Sequence, residues 1–288
     1  MRRATAKHLS LWLVLGSLCC SAFVNADSEH HAPGATVSNT DHSDNLTLEN
    51  AYRIQSMEKR ARESQGSEVV GYRAGLTSHT AQQRFDVAAP VSGILYADTA
   101  APGRELPLAD FSQPMLEVEL GFILARPVEG ESALDLPMLT LIAEVVPVIE
   151  IPDLSVASPL TGPGIVAANV AARGYLIGPA LPWKDRETLN RVRVELNHGG
   201  ESQFRGAAVD AMGHQYSVLR WLLEHRLRQS DKLAGGHLLI TGSLGKMVPA
   251  AAGQYRARYG LATSDEQLDV ITELIFTVLR SAQTFVAR

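Results

Sequence analysis

Two glutamates one residue apart interrupt the apolar stretch QPMLEVELGF, residues 113–122. Side chains of a strand alternate between its two faces, so Glu117 and Glu119 lie on one face and the neighbouring leucines and valine on the other. Two carboxylates roughly 7 Å apart repel each other unless water or a cation lies between them. The pattern alone leaves two interpretations open, a half-exposed strand with a hydrated acidic face or a divalent-metal site.

Composition bounds the class of protein. The chain has 288 residues, of which 45% are hydrophobic and 20% charged, as in ordinary globular proteins. This length fits one large domain or two small ones. The formal net charge of −5 does not favour binding to nucleic acid or to an anionic membrane surface, so we expect no nucleic-acid partner.

The N-terminus has the pattern of a secretory signal peptide. Three basic residues lie within the first seven, an apolar segment follows over residues 9–24, and Val24-Asn25-Ala26 resembles a cleavage site. We therefore predict a signal peptide over residues 1–26, a periplasmic or secreted location, and no stable membrane span after cleavage. An uncleaved anchor is the alternative. Cleavage would remove both cysteines of the chain, Cys19 and Cys20, so the mature protein would have no disulfide and no thiolate ligand.

The rest of the chain reads as one domain between a polar leader and a C-terminal helix. Residues 27–46 are polar and predict a flexible lead-in, and no linker divides the residues that follow. Helical spacing of apolar residues predicts helices over 47–64, over 216–228 and, as a C-terminal amphipathic helix, over 263–288.

The remaining short apolar runs predict strands. Residues 192–206 read as a β-hairpin with Gly199-Gly200 in the turn, and Pro147 predicts a strand start or a sheet edge. Two glycine-rich segments, 162–164 and 242–246, lack the spacing of a dinucleotide loop and of a phosphate loop. No common nucleotide-binding motif therefore explains the chain.

Several segments, in order and spacing, resemble the 2-keto-4-pentenoate hydratase branch of the fumarylacetoacetate hydrolase superfamily. The segments that carry the resemblance are AYRIQ at 51–55, VGYRAGLTS at 70–78, QQ at 82–83, GILYAD at 93–98, QPMLEVE at 113–119, PVIE at 147–150 and LITGSL at 239–244. Together they span about residues 47–260. The resemblance implies an α+β fold, a rolled mixed β-sandwich with peripheral helices, and a hydratase-like catalytic domain over residues 47–262.

The resemblance also implies a site. Its glutamates would bind one Mg²⁺ or Mn²⁺ through Glu117, Glu119 and Glu150, which suits a hard cation that keeps positions for water and substrate. Arg73 would act in catalysis and bind the substrate carboxylate, and Asn169 and Ser243 would line the substrate pocket.

This sequence departs from the family pattern around the proton-transfer residues. Arg73 stands where the family has a lysine, and an arginine stays protonated and is a poor general base. Val91 corresponds to a family aspartate, His214-Gln215 lacks the proline of its segment, and Ala168 replaces the aspartate before Asn169. The predicted C-terminal helix would also replace the last strand of the family fold.

The function implied is a divalent-metal-dependent hydro-lyase that adds water to a small 2-hydroxy-2,4-dienoate or 2-oxo acid. Three alternatives remain: a 2-oxo acid decarboxylase, a C–C hydrolase of the same superfamily, and a non-catalytic exported binding protein on this scaffold. The resemblance further implies a homo-oligomer.

Overall fold

Apolar residues of this chain fall in short runs between glycine- and proline-containing turns, and most of these runs form strands. The structure, a computed structural model, describes residues 46–155, 160–183, 185–263 and 267–280. The predicted signal peptide, and all of the predicted lead-in except Leu46, lie outside the described residues.

The described α-helices are α1 (Leu48–Ser64), α2 (His79–Arg84), α3 (Gly162–Ala167), α4 (Arg186–Arg191) and α5 (Gln215–Arg228). The described strands are β1 (Val69–Gly75), β2 (Val91–Tyr96), β3 (Glu105–Pro107), β4 (Met115–Leu124), β5 (Ile142–Pro152), β6 (Ala172–Ile177), β7 (Val192–His198), β8 (Glu201–Ala207), β9 (Leu238–Ile240), β10 (Val248–Pro249), β11 (Gly253–Ala262) and β12 (Leu268–Leu279).

Two mixed sheets form the body of the protein. One runs β2-β1-β9-β4-β5-β6, with β10 paired to β4, and the other runs β3-β12-β11-β7-β8. Most neighbours are antiparallel, but β1 pairs in parallel with β9 and β12 in parallel with β3. This arrangement agrees with the predicted α+β class.

One large apolar core includes side chains from both sheets and from α5. Leu116, Val118 and Leu120 of β4 are fully buried in the same cluster as Tyr259 of β11 and Phe276 of β12. At about 1.5–3 kcal/mol for each large apolar side chain, this burial is the main driving force for folding. The core therefore fixes which face of β4 is apolar and which carries its glutamates.

Two helices and the hairpin lie where the sequence predicted them. Helix α1 begins after Thr47, whose hydroxyl accepts a hydrogen bond from the Asn50 amide at 3.2 Å, as a helix N-cap does. Helix α5 packs Leu219, Leu222 and Leu223 into the core. Strands β7 and β8 form the predicted hairpin around Gly199-Gly200. Among the described helices, none is long and apolar enough to cross a membrane.

The predicted C-terminal helix over 263–288 is wrong where the structure describes it, because residues 268–279 form strand β12. Leu274, Phe276 and Val278 are buried at every second position, which is the period of a strand. Apolar residues are frequent enough here to fit a helical period as well, and pairing with β11 and β3 decides the outcome. The expected replacement of a strand by a helix is therefore not found at residues 268–279.

Pro147 does not begin a strand or lie at an edge, as the sequence predicted, but lies inside β5 between β4 and β6. The Pro147 carbonyl accepts a hydrogen bond from the Gly178 amide at 2.8 Å, just past the end of β6. The N–H and C=O of one strand residue point to the same neighbouring strand, so the missing donor falls where the β6 ladder ends.

Candidate metal centre

Strand register brings three glutamates together. Glu117 and Glu119 lie on the same face of β4, opposite the buried leucines, and Glu117 pairs directly with Glu150 of β5. One carboxylate oxygen from each lies within 4.8 Å of the others, and no other such acidic, histidine or cysteine group occurs in the described part of the chain. We call Glu117, Glu119 and Glu150 the glutamate triad.

The guanidinium of Arg73, from β1, contacts all three members of the triad. Its Nη2 lies 3.1 Å from Glu117 Oε2 and 3.8 Å from Glu119 Oε1, and its Nη1 lies 2.5 Å from Glu150 Oε1. The Arg73 side chain is only 4% exposed and those of Glu119 and Glu150 are 0% exposed, so water screens these charges little.

Burial and mutual repulsion shift the ionisation of the triad. Desolvation raises the pKa of Glu119 to about 8, with Glu117 adding to the shift and Arg73 and the Gly242 amide opposing it. Desolvation also raises the pKa of Glu150 well above its usual value, against the effect of Arg73. Burial alone would lower the pKa of Arg73, but the three carboxylates outweigh it and raise that pKa, so the guanidinium stays charged.

Several carboxylate oxygens have no hydrogen-bond donor. Glu119 Oε2 accepts from the Gly242 amide at 2.6 Å, but Glu119 Oε1 and both oxygens of Glu150 accept no hydrogen bond. The short contact between Arg73 and Glu150 is an ion pair without hydrogen-bond alignment. Buried carboxylate oxygens without donors are expensive unless a cation compensates them. The donor set, three oxygens and no soft ligand, fits a hard divalent cation.

A cavity of about 500 Å³ reaches Glu117 of the triad. Arg73 and Glu117 line it together with Thr77, Gly242 and Ser243, and Arg84, Asp210 and Lys246 also reach its wall. The Ser243 hydroxyl donates to the Gly245 carbonyl at 3.1 Å. The cavity is large enough for a small organic acid.

The structure places Asn169 differently from the other predicted site residues. Asn169 is not among the residues that line the cavity, and both atoms of its amide bond the backbone of Ile94 in β2. Arg73, Ser243 and Glu117 do line the cavity, whereas Glu119 and Glu150 are fully buried beside Glu117 and are not among the lining residues. The function of each residue stays a prediction.

Sequence reasoning missed three contributors. Gly242 supplies the amide that binds Glu119, and its φ of +93° is one that glycine adopts readily. Arg84 and Lys246 give the cavity wall two further positive charges. The Thr241-Gly242-Ser243 segment, part of the LITGSL motif, was a usable signal for Gly242. Nothing in the sequence linked Arg84 and Lys246 to the cavity.

Comparisons with known proteins show which family the chain belongs to. The chain is 32% identical over 211 residues to the 2-keto-4-pentenoate hydratase of Paraburkholderia xenovorans (strain LB400), covering 72% of this chain and 78% of that protein. It is 25% identical over 224 residues to the 2-oxo-hept-4-ene-1,7-dioate hydratase of Escherichia coli, covering 75% and 84% of the two chains. No family model matches the chain.

Solved structures show the same fold. A 4-oxalocrotonate decarboxylase from Pseudomonas putida G7, complexed with magnesium and adipate, matches with a TM-score of 0.68 at 23% identity, over 81% of this chain and 86% of that one. A fumarylpyruvate hydrolase from Pseudomonas aeruginosa, in complex with Mn²⁺ and pyruvate, matches with a TM-score of 0.52 at 15% identity, over 73% and 89%.

The fold is thus that of the fumarylacetoacetate hydrolase superfamily, as the sequence predicted. Within that superfamily, the chain belongs to the 2-keto-4-pentenoate hydratase family. The predicted resemblance and the predicted fold class are both confirmed.

Proposed function

We propose that this protein is a divalent-metal-dependent hydratase that converts a small 2-hydroxy-2,4-dienoate into a 4-hydroxy-2-oxo acid. The glutamate triad, whose member Glu117 lines a cavity, is the observation that carries the proposal. Membership of a family whose named relatives are hydratases supports the reaction class.

Glu117, Glu119 and Glu150 would hold the cation, and Mg²⁺ is the ion we propose. When bound, the cation would supply Lewis-acid stabilisation for negative charge on the oxygens of a 2-oxo acid or its enol. The donor-free oxygens of Glu119 and Glu150 suit this role, because a cation would remove the cost of burying them.

Arg73 would orient the substrate rather than move its protons. Arg73 lines the cavity and its guanidinium keeps its charge. A substrate carboxylate matches the planar guanidinium, and it would compete for N–H groups that now contact the glutamates and the Val170 carbonyl. A group that stays protonated cannot take a proton from water. Ser243 has a hydroxyl at the cavity wall and would bind the substrate there.

A role without hydration is the second candidate, and Arg73 favours it. A guanidinium in contact with all three carboxylates stands where the family pattern has a lysine able to shuttle protons. A 2-oxo acid decarboxylase, a C–C hydrolase or a binding protein could use the same cavity. The C-terminal segment does not favour the binding protein, because residues 268–279 form strand β12 and not an added helix.

Turnover of 2-hydroxypenta-2,4-dienoate by the purified protein with Mg²⁺ tests the proposal. We expect loss of the dienol absorbance and formation of the 4-hydroxy-2-oxo acid, identified by NMR. Glu119→Gln should abolish both, whereas Glu201→Gln, the same change at an exposed position of β8, should not. Release of CO₂ or C–C cleavage products from 2-oxo acids would favour the other enzymes. Binding of a 2-oxo acid without turnover would favour the binding protein.

The proposal includes export and self-association. Residues 1–26 carry the signal-peptide pattern, which supports a periplasmic or secreted enzyme. Mass spectrometry of protein from the periplasmic fraction should find a mature N-terminus at Asp27, and light scattering should find a homo-oligomer. An intact N-terminus in the cytoplasm, or a monomer, would contradict the respective part.

A further inference from the structure

Three consecutive non-glycine residues adopt left-handed backbone conformations between α3 and β6. The φ angles of Asn169, Val170 and Ala171 are +54°, +55° and +57°. L-residues visit this region mostly one at a time, and for a β-branched residue such as Val170 it is an outlier. We call Asn169–Ala171 the left-handed turn. Backbone strain of this kind persists only where surrounding contacts hold it.

The Asn169 side chain and two backbone bonds hold the turn. Asn169 Oδ1 accepts from the Ile94 amide at 2.7 Å, and Asn169 Nδ2 donates to the Ile94 carbonyl at 2.9 Å. The Ala171 amide donates to the Ala168 carbonyl, and the Ala171 carbonyl accepts from the Asp153 amide, both at 3.0 Å. The turn is therefore fixed to β2 on one side and to the end of β5 on the other.

Two glycines allow the turn to approach the strand that carries Arg73. A Cβ on Gly93 of β2 would lie 2.8 Å from the Asn169 carbonyl oxygen and 3.1 Å from Cγ of Arg73. A Cβ on Gly75 of β1 would lie 2.6 Å from Cγ1 of Val170. Side chains at either position would push the turn away from Arg73.

This arrangement directs the backbone carbonyl of Val170 at one guanidinium nitrogen of Arg73. Arg73 Nη1 donates to the Val170 carbonyl at 2.9 Å, and the same nitrogen forms the ion pair with Glu150. Nη2 is thereby left to face Glu117 and Glu119. Nη2 also donates a hydrogen bond to Glu117 Oε2 at 3.1 Å, so the Val170 carbonyl and Glu117 together fix the rotation of the planar guanidinium.

We propose that the left-handed turn positions Arg73 and that the Asn169 side chain holds the turn in place. The turn thereby sets how strongly the guanidinium opposes a cation at the glutamate triad. Asn169 then acts through Arg73 and does not touch substrate. The proposal deepens the proposed function and rests on it only for the cation; the contact between the turn and Arg73 stands on geometry alone.

A double-mutant cycle of Asn169→Ala with Arg73→Met tests the proposal. The first readout is the equilibrium constant of unfolding in urea with EDTA, which needs no metal. If the turn acts through Arg73, the equilibrium constant of unfolding of the double variant should be at least about fivefold smaller than the product of the two single effects predicts. Independent effects that simply multiply would overturn the proposal. Should Asn169→Ala not fold, Asn169→Gly, which accepts positive φ and still lacks the amide, replaces it in the cycle.

The second readout is Mn²⁺ affinity by calorimetry. Asn169→Ala should bind Mn²⁺ at least about threefold more tightly, because a released guanidinium opposes the cation less, and the change should vanish in the Arg73→Met background. Val170→Gly keeps the carbonyl and accepts positive φ, so its affinity should stay within about twofold. An equal effect of Asn169→Ala in both backgrounds would show a general structural role. Absence of Mn²⁺ binding to the unaltered protein would refute the proposed metal site, while the unfolding cycle would still decide the role of the turn.

Discussion

Replacing Arg73 by methionine should destabilise the metal-free protein, and a divalent cation should reverse the loss. The substitution keeps a long unbranched side chain and removes the one positive charge that, among the described residues, contacts all three glutamates of the triad. Removing one partner of a buried ion pair typically costs about 3–5 kcal/mol. At an effective dielectric of 20, a single contact at 4 Å is worth about 4 kcal/mol before desolvation, so the estimate is consistent with the geometry.

The size of this loss should depend on pH. The pKa of Glu119 is raised to about 8, so below that pH a proton already neutralises part of the triad. We therefore expect a larger loss near pH 9 than at pH 6. A hundredfold excess of Mn²⁺ over Kd stabilises a protein by about 2.7 kcal/mol. At one Mn²⁺ concentration the gain should be larger for Arg73→Met than for the unaltered protein, because no guanidinium opposes the cation and the Kd is lower.

Urea unfolding at pH 9 and pH 6, followed by tryptophan fluorescence with EDTA or with Mn²⁺, measures these differences. Arg84→Met is the matched control, because it removes an exposed arginine from the wall of the same cavity and should change stability by less than about 0.5 kcal/mol. Equal stability of Arg73→Met and the unaltered protein in EDTA at pH 9 would refute the view that Arg73 compensates the triad.

Three further results are expected. Mn²⁺ affinity should rise with pH between 6 and 8, by up to about tenfold per unit, because the proton held by Glu119 must leave; a flat calorimetric profile would contradict this. Burial lowers the pKa of His225 to about 4, so the folded protein excludes a proton that the unfolded chain takes up below about pH 6.5. The free energy of unfolding should therefore fall by up to about 3 kcal/mol as the pH is lowered toward 4. His225→Phe should remove most of this pH dependence in urea titrations. Gly242→Ala should cost at least about 1 kcal/mol and weaken Mn²⁺ binding, because its Cβ would lie 2.4 Å from the Thr77 hydroxyl at a φ of +93°; unchanged melting and affinity would show that the loop adapts.

The sequence predicted the shared face of Glu117 and Glu119 because alternation along one strand needs no knowledge of the fold. It could not show by itself that Glu150 pairs opposite Glu117, because that register depends on the long connection between β4 and β5. The family resemblance supplied this link. The contact of Arg73 with all three glutamates also could not be predicted from the sequence, because Arg73 reaches β4 across the intervening strand β9.

The two errors have local causes. Residues 268–279 contain apolar residues dense enough to satisfy a helical period, and their content of valine, isoleucine, threonine and phenylalanine was the better signal for a strand. The prediction for Pro147 rested on its missing backbone N–H donor, and the sequence does not show where the neighbouring strand β6 ends. The sequence also could not show what the Asn169 amide binds, because a polar side chain in a family motif can hydrogen-bond the backbone as readily as it binds a ligand.

The position of β12 has a consequence for the order of folding. This strand follows β3 and β11 in the sequence, yet it lies between them in its sheet. Because β3 and β11 are synthesised before β12, both strands remain without the strand that pairs with each of them until β12 has been made. Leu274, Phe276 and Val278 then add their side chains to the core. The second sheet therefore closes only after β12 has been synthesised, and β3 stays unpaired in that sheet until then.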